Sequence, residues 1–161
     1  MSEEASINQD IDYAKSILSI NQNLVNFVDT KAGVLLAVDG AILAILASST
    51  ATINSGFEQL VLGSALLLIG ISALFGFLII KPRIHVHDSP TKIFYSTIIT
   101  QSREDYKKSF SSTPAQILDD YLNNIYTLAV IQKKKFFYLE ESLYCLILGL
   151  IPIIVIIISV H

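Results

Sequence analysis

LYCLILGLIPIIVIIISV, residues 143–160, decides the fold class. It carries no charge, and from residue 151 to 158 it is aliphatic apart from Pro152. About 18 consecutive apolar residues in a helix cross roughly 30 Å of hydrocarbon, so this stretch reads as a membrane span. Working back from it, Glu140 and Glu141 lie just inside the segment 136–160, and Lys133, Lys134 and Lys135 stand before it. Two further segments have the same character. Residues 59–80 have Ser64 and Ser72 as their polar members beyond the opening Gln59, and residues 31–49, between Lys31 at the entry and Ser48-Ser49 at the end, are apolar except for an acid, Asp39, near the middle. Apolar residues make up 52% of the 161 and charged residues 16%, a balance that excludes an ordinary soluble domain.

Charge then orients the three spans. The eleven basic residues fall before or at the entry of the first span (Lys15, Lys31) or between the second and third. The second group is Lys81, Arg83, Lys92, Arg103, Lys107, Lys108 and Lys133 to Lys135, and the loop 50–58 has none. Basic residues are retained on the cytoplasmic side during insertion, which predicts an N-terminus inside and a C-terminus outside. The fold expected is an all-α membrane protein with three transmembrane helices and cytoplasmic helical extensions. Its parts are a cytoplasmic amphipathic helix (1–30), a transmembrane hairpin (31–80), a cytoplasmic helical region (81–135) and a third span (136–161). Glu3, Glu4, Asp10 and Asp12 rule out a basic-then-apolar leader in the opening residues, so the first span is expected to be its own insertion signal.

Ile7, Ile11, Ala14, Leu18, Val25 and Val28 recur at helical spacing, with a candidate capping box at Ser6 and Gln9. Nothing breaks a helix between Ile7 and Ala32, so this helix should run directly into the first span. Thr113-Pro114-Ala115-Gln116 is a stronger start, with an N-cap residue, proline at the first helical position and glutamine at the third. From there to Leu148 there is no glycine or proline, which predicts one helix of about 34 residues and roughly 50 Å. Residues 101–112 read as a surface turn or a short helix.

Several residues are candidates for chemistry. An acid in mid-membrane costs about 2.5–3.5 kcal/mol on insertion scales, so Asp39 either lines an aqueous path or pairs across subunits. Otherwise the span begins later, with Asp39 snorkelling or protonated. Asp29 and Lys31, two apart, cannot face each other on one helix, and each needs a partner elsewhere. Glu140 and Glu141 are placed to pair with Lys133 to Lys135 of a neighbour, or to ring a pore entrance. Ala65, Ser72 and Gly76 share one face of the second span as a packing surface, and Gly33 and Gly40 allow close approach on the first. His85 and His87 with Asp88 make a weak metal motif. A contact with an anionic ligand, alongside Lys92, Arg103, Lys107, Lys108 or the lysines at 133–135, fits them better than a metal does, and plain solvated surface is the remaining reading. No metal or cofactor is expected. Cys145 has no partner for an intramolecular disulfide, no nucleophile–base set is visible, and enzyme chemistry is not indicated.

The stretch Asn26-Phe27-Val28-Asp29-Thr30-Lys31-Ala32-Gly33-Val34-Leu35-Leu36-Ala37, with Asp39 one step before Gly40, resembles the opening of the Pycsar-type transmembrane effectors of prokaryotic antiphage defence. IFYSTI (93–98) and YLNNIYTLAVIQKKKFFYL (121–139) are similar to that family's middle and last helices. The resemblance implies a homo-oligomeric effector of the prokaryotic inner membrane that conducts ions or permeabilises the bilayer. It also implies a nucleotide-derived signal from a partner nucleotidyltransferase or cyclase. The ligand stays open between a cyclic mono- or oligonucleotide and a nucleic-acid oligomer, acting as activator or inhibitor. The alternative is a non-conducting membrane scaffold that recruits a soluble partner.

Overall fold

Apolar positions at alternating steps of three and four residues organise the spanning segments. Val28, Ala32, Leu35, Asp39 and Leu46 form one buried stripe. Leu62, Ala65, Ile69, Ser72, Gly76 and Ile79 form a second, and Lys135, Leu139, Ser142, Leu146 and Gly149 a third. Such stripes interlock as ridges into grooves between nearly aligned helices. The computed structural model describes residues 3–49, 56–81, 102–109 and 113–160. Among them it contains α1 (Glu3–Ser49), α2 (Gly56–Ile80), α3 (Arg103–Ser109) and α4 (Pro114–Val160). Three of these, α1, α2 and α4, are long and apolar enough to span a membrane.

The chain divides into two units. The first comprises Phe27–Lys81 and Lys134–His161. Its core joins Val28, Ala32, Leu35, Leu46, Leu62, Ala65, Ile69, Ile79, Leu139 and Leu146. Two glycines set how closely the helices approach. A Cβ at Gly76 would lie 2.9 Å from the side chain of Leu36, and one at Gly149 would lie 2.8 Å from Ile69 Cγ1. Small residues at such positions give membrane helices their dispersion contact, because lipid offers no hydrophobic drive for one apolar helix to leave it. The outward faces are apolar too, with Val34, Ile45, Leu67, Phe77, Ile147 and Ile158 exposed.

The second unit comprises Met1–Asn26 and Pro82–Lys133. Ile11, Ala14 and Leu18 on α1 and Ile131 on α4 are buried in it. Gln132 Nε2 donates to the carbonyl of Asn21 at 2.6 Å. Thr113 and Gln116 cap α4 reciprocally: Thr113 N donates to Gln116 Oε1 at 3.1 Å, and Gln116 N to Thr113 Oγ1 at 3.4 Å. Ser102 caps α3 in the same way, accepting from Asp105 N at 3.1 Å and donating to Asp105 Oδ2 at 2.7 Å.

The helix expected from residue 6 into the first span is continuous, but it begins at Glu3, so Ser6 is interior and does not cap it. α4 extends to Val160 and contains Pro152. Residues 50–55 of the expected outer loop, together with Arg83, His85, His87, Lys92, residues 93–98 and His161, lie outside the described residues.

Candidate functional site

One layer of the membrane-spanning unit is polar. Asp39 on α1, Ser72 on α2 and Ser142 on α4 are each 0% exposed. They occupy equivalent positions on the three buried stripes, which is why packing the apolar residues brings them together. Ser72 Oγ stands 2.9 Å from Asp39 Oδ2, 2.9 Å from the carbonyl of Ser142 and 3.1 Å from Ser142 Oγ. Ser142 Oγ donates to the carbonyl of Ser72 at 2.8 Å. Asp39 Oδ1 is buried with no hydrogen-bond partner. An acid here costs free energy that a leucine would not.

One end of the same unit holds an ion pair. The Lys135 ammonium donates to the Asp29 carboxylate, with side-chain exposures of 9% and 38%. Lys31 instead places its ammonium over the Phe27 ring, 4.8 Å from the centroid, as a cation–π contact. The opposite charges of Asp29 and Lys31 thus find partners elsewhere. Glu140 accepts the Tyr144 hydroxyl at 3.1 Å, one turn along the same helix. Glu141 is half-buried.

The three consecutive lysines do not share one environment: Lys133 and Lys134 are exposed and Lys135 is buried. Arg103, Lys107 and Lys108 lie exposed on α3, where Lys108 reaches Asp105 at 4.0 Å. Ala65, Ser72 and Gly76 are buried together on α2. Gly33 and Gly40 are on the outside, and a Cβ at either would meet nothing within 4 Å. Among the described residues no group of three His, Cys, Asp or Glu side chains is positioned to hold a metal.

Sequence reasoning reached Asp39 and Ser72 separately, as a pore acid and as a packing residue. It missed Ser142, Gly149 and the pairing of Lys135. The signal for Ser142 and Gly149 was present, since both continue the three-and-four step from Lys135 and Leu139. A family model described as Pycsar effector protein domain matches residues 13–160. No curated protein and no solved structure matches the chain.

Proposed function

The chain belongs to the Pycsar effector family, and from that premise we propose that it is an ion-conducting membrane effector of antiphage defence. Copies assemble as a ring in the prokaryotic inner membrane. The N-terminus and the region around α3 lie on the cytoplasmic side, as the distribution of basic residues favours. A nucleotide-derived signal, made by a partner nucleotidyltransferase or cyclase, gates the ring. The chain acts by altering permeability and not by catalysis.

The observation that carries this reading is the buried Asp39–Ser72–Ser142 layer, because intramembrane acids are costly and are retained for function. All three helices contribute to it, so a change in their packing moves the acid. In this arrangement Asp39 is enclosed within one chain, and the path it serves opens when the bundle rearranges. The outward Gly33 and Gly40 support contact with a neighbouring copy, since nothing in the chain itself uses their small size. Arg103, Lys107 and Lys108, exposed on α3, carry positive charge that an anionic ligand can meet, and Lys133 and Lys134 are exposed as well. That ligand must bind open and closed states with different affinity, because equal binding shifts nothing.

The test is current across a planar bilayer containing the purified protein. It is recorded first without nucleotide, then with cyclic mononucleotides, cyclic oligonucleotides and short nucleic-acid oligomers. Discrete openings in any condition support a channel, and Asp39→Leu should abolish them while preserving assembled mass. Silence in every condition, with a stoichiometric soluble partner recovered from cells, would establish the scaffold instead.

A further inference from the structure

The polar layer contains more hydrogen-bond contacts than its two hydroxyls can supply with hydrogens. The Ser72 and Ser142 carbonyl oxygens cannot donate. The 2.8 Å contact to the Ser72 carbonyl must therefore use the Ser142 hydroxyl hydrogen. The 2.9 Å contact to the Ser142 carbonyl must likewise use the Ser72 hydroxyl hydrogen. Both hydroxyl hydrogens are then spent, and the 2.9 Å contact between Asp39 Oδ2 and Ser72 Oγ still needs one. A proton on Asp39 would supply it, while the 3.1 Å approach of the two hydroxyl oxygens carries no hydrogen of its own.

We propose that Asp39 holds a proton in this bundle, and that Ser72, itself held by Ser142, is the acceptor of its hydrogen bond. The carboxyl O–H donates to Ser72 Oγ, Ser72 donates to the Ser142 carbonyl, and Ser142 donates back to the Ser72 carbonyl. This chain links α1 to α2 and α2 to α4 with every hydrogen used once. An ionised Asp39 would take the Ser72 hydrogen, strand the Ser142 carbonyl contact, and leave a buried charge with one donor for two oxygens. Oδ1 has no partner in either case, which a neutral carbonyl-type oxygen tolerates at far lower cost than a carboxylate oxygen does.

A metal ion is a poorer occupant. Asp39 is the one carboxylate among these oxygens, and among the described residues no three His, Cys, Asp or Glu side chains are grouped to hold a cation. The oxygens here are 2.8–3.1 Å from one another, which is hydrogen-bond spacing. No compensating cation lies nearby in the sequence of the packed segments. α2 has no titratable residue between Glu58 and Lys81, and the nearest on α4 are Glu140, Glu141, Tyr144 and Cys145, none of which brings positive charge.

Infrared absorption of the purified protein in liposomes at neutral pH tests the site, and it reads one chain's bundle whether or not copies conduct. Wild-type protein should show a carboxylic-acid C=O band that shifts on exchange into D2O and is lost in Asp39→Asn. Ser72→Ala should keep the band and move it to the higher frequency of an acid without its acceptor. If no band is removed by Asp39→Asn, Asp39 is ionised and the proposal fails. A band whose frequency Ser72→Ala leaves unchanged would overturn the accepting role of Ser72, and this variant decides alone if Asp39→Asn does not assemble.

Discussion

Cutting the Lys135–Asp29 pair from its two ends should have unequal costs. The Lys135 side chain is 9% exposed and that of Asp29 is 38% exposed. Asp29→Asn strands an ammonium that water barely reaches, and stranding one buried partner costs on the order of 3 kcal/mol. Lys135→Met leaves a carboxylate that solvent can still hydrate, so its cost should be about 1 kcal/mol, near the range for surface pairs. The double variant removes both charges and should lie within about 1 kcal/mol of wild type, because a buried pair exchanged for neutral groups is close to break-even. Equilibrium unfolding in defined detergent, run as a double-mutant cycle, gives all three values and the coupling between the sites. Equal costs, or a greater cost for Lys135→Met, would refute the reasoning that burial of the ammonium dominates. The result also bears on the ligand. A lysine already neutralised by Asp29 should contribute little to anion binding, in contrast to its neighbours.

Lys133→Glu with Lys134→Glu should weaken the effect of an anionic nucleotide by about tenfold or more, as expected for the loss of charge-assisted contacts. A dose–response curve unchanged at low salt would remove these two residues from the ligand surface. Gly40→Leu meets open space within its own chain, so unfolding of the single chain should change by less than about 0.5 kcal/mol. The oligomeric mass in native mass spectrometry should change, and an unchanged mass would mean that this face meets lipid. Gly149→Val forces atoms into Ile69, which already lies 2.8 Å from where a Cβ would stand. Overpacking of that kind should cost about 1–3 kcal/mol, read as a lowered midpoint of unfolding, and no loss would show that the helices separate freely at this level.

Much of the architecture could be read before any coordinates. The three apolar segments and the start of α4 at Thr113-Pro114 depend on local rules, namely length, proline position and capping, and these act without tertiary context. Asp39 falls on the step from Val28 through Ala32 and Leu35 to Leu46, so its inward direction was legible as well. Its partners were not, because a serine in a membrane helix reads the same whether it faces lipid or a neighbour. Lys133 to Lys135 show the same limit. Three identical residues in a row mark an interface, yet successive helix positions turn by about 100°, so one points inward and two do not. Gly33 and Gly40 read as contact residues, but small size has no direction, and the packed chain shows them facing outward.

The separation in sequence of the three polar residues has a consequence for synthesis. Ser72 follows Asp39 by 33 residues, and Ser142 comes a further 70 later. At 5–20 residues per second the ribosome completes that interval in about 5–20 s. For that time the first helix carries an acid into the bilayer with its full set of partners not yet made. A chain interrupted before the last helix therefore never closes its polar layer, and it keeps the insertion penalty of about 2.5–3.5 kcal/mol that a lone acid imposes. Products that stop short of α4 should be retained at the insertion machinery or degraded, because the polar layer closes only when Ser142 arrives.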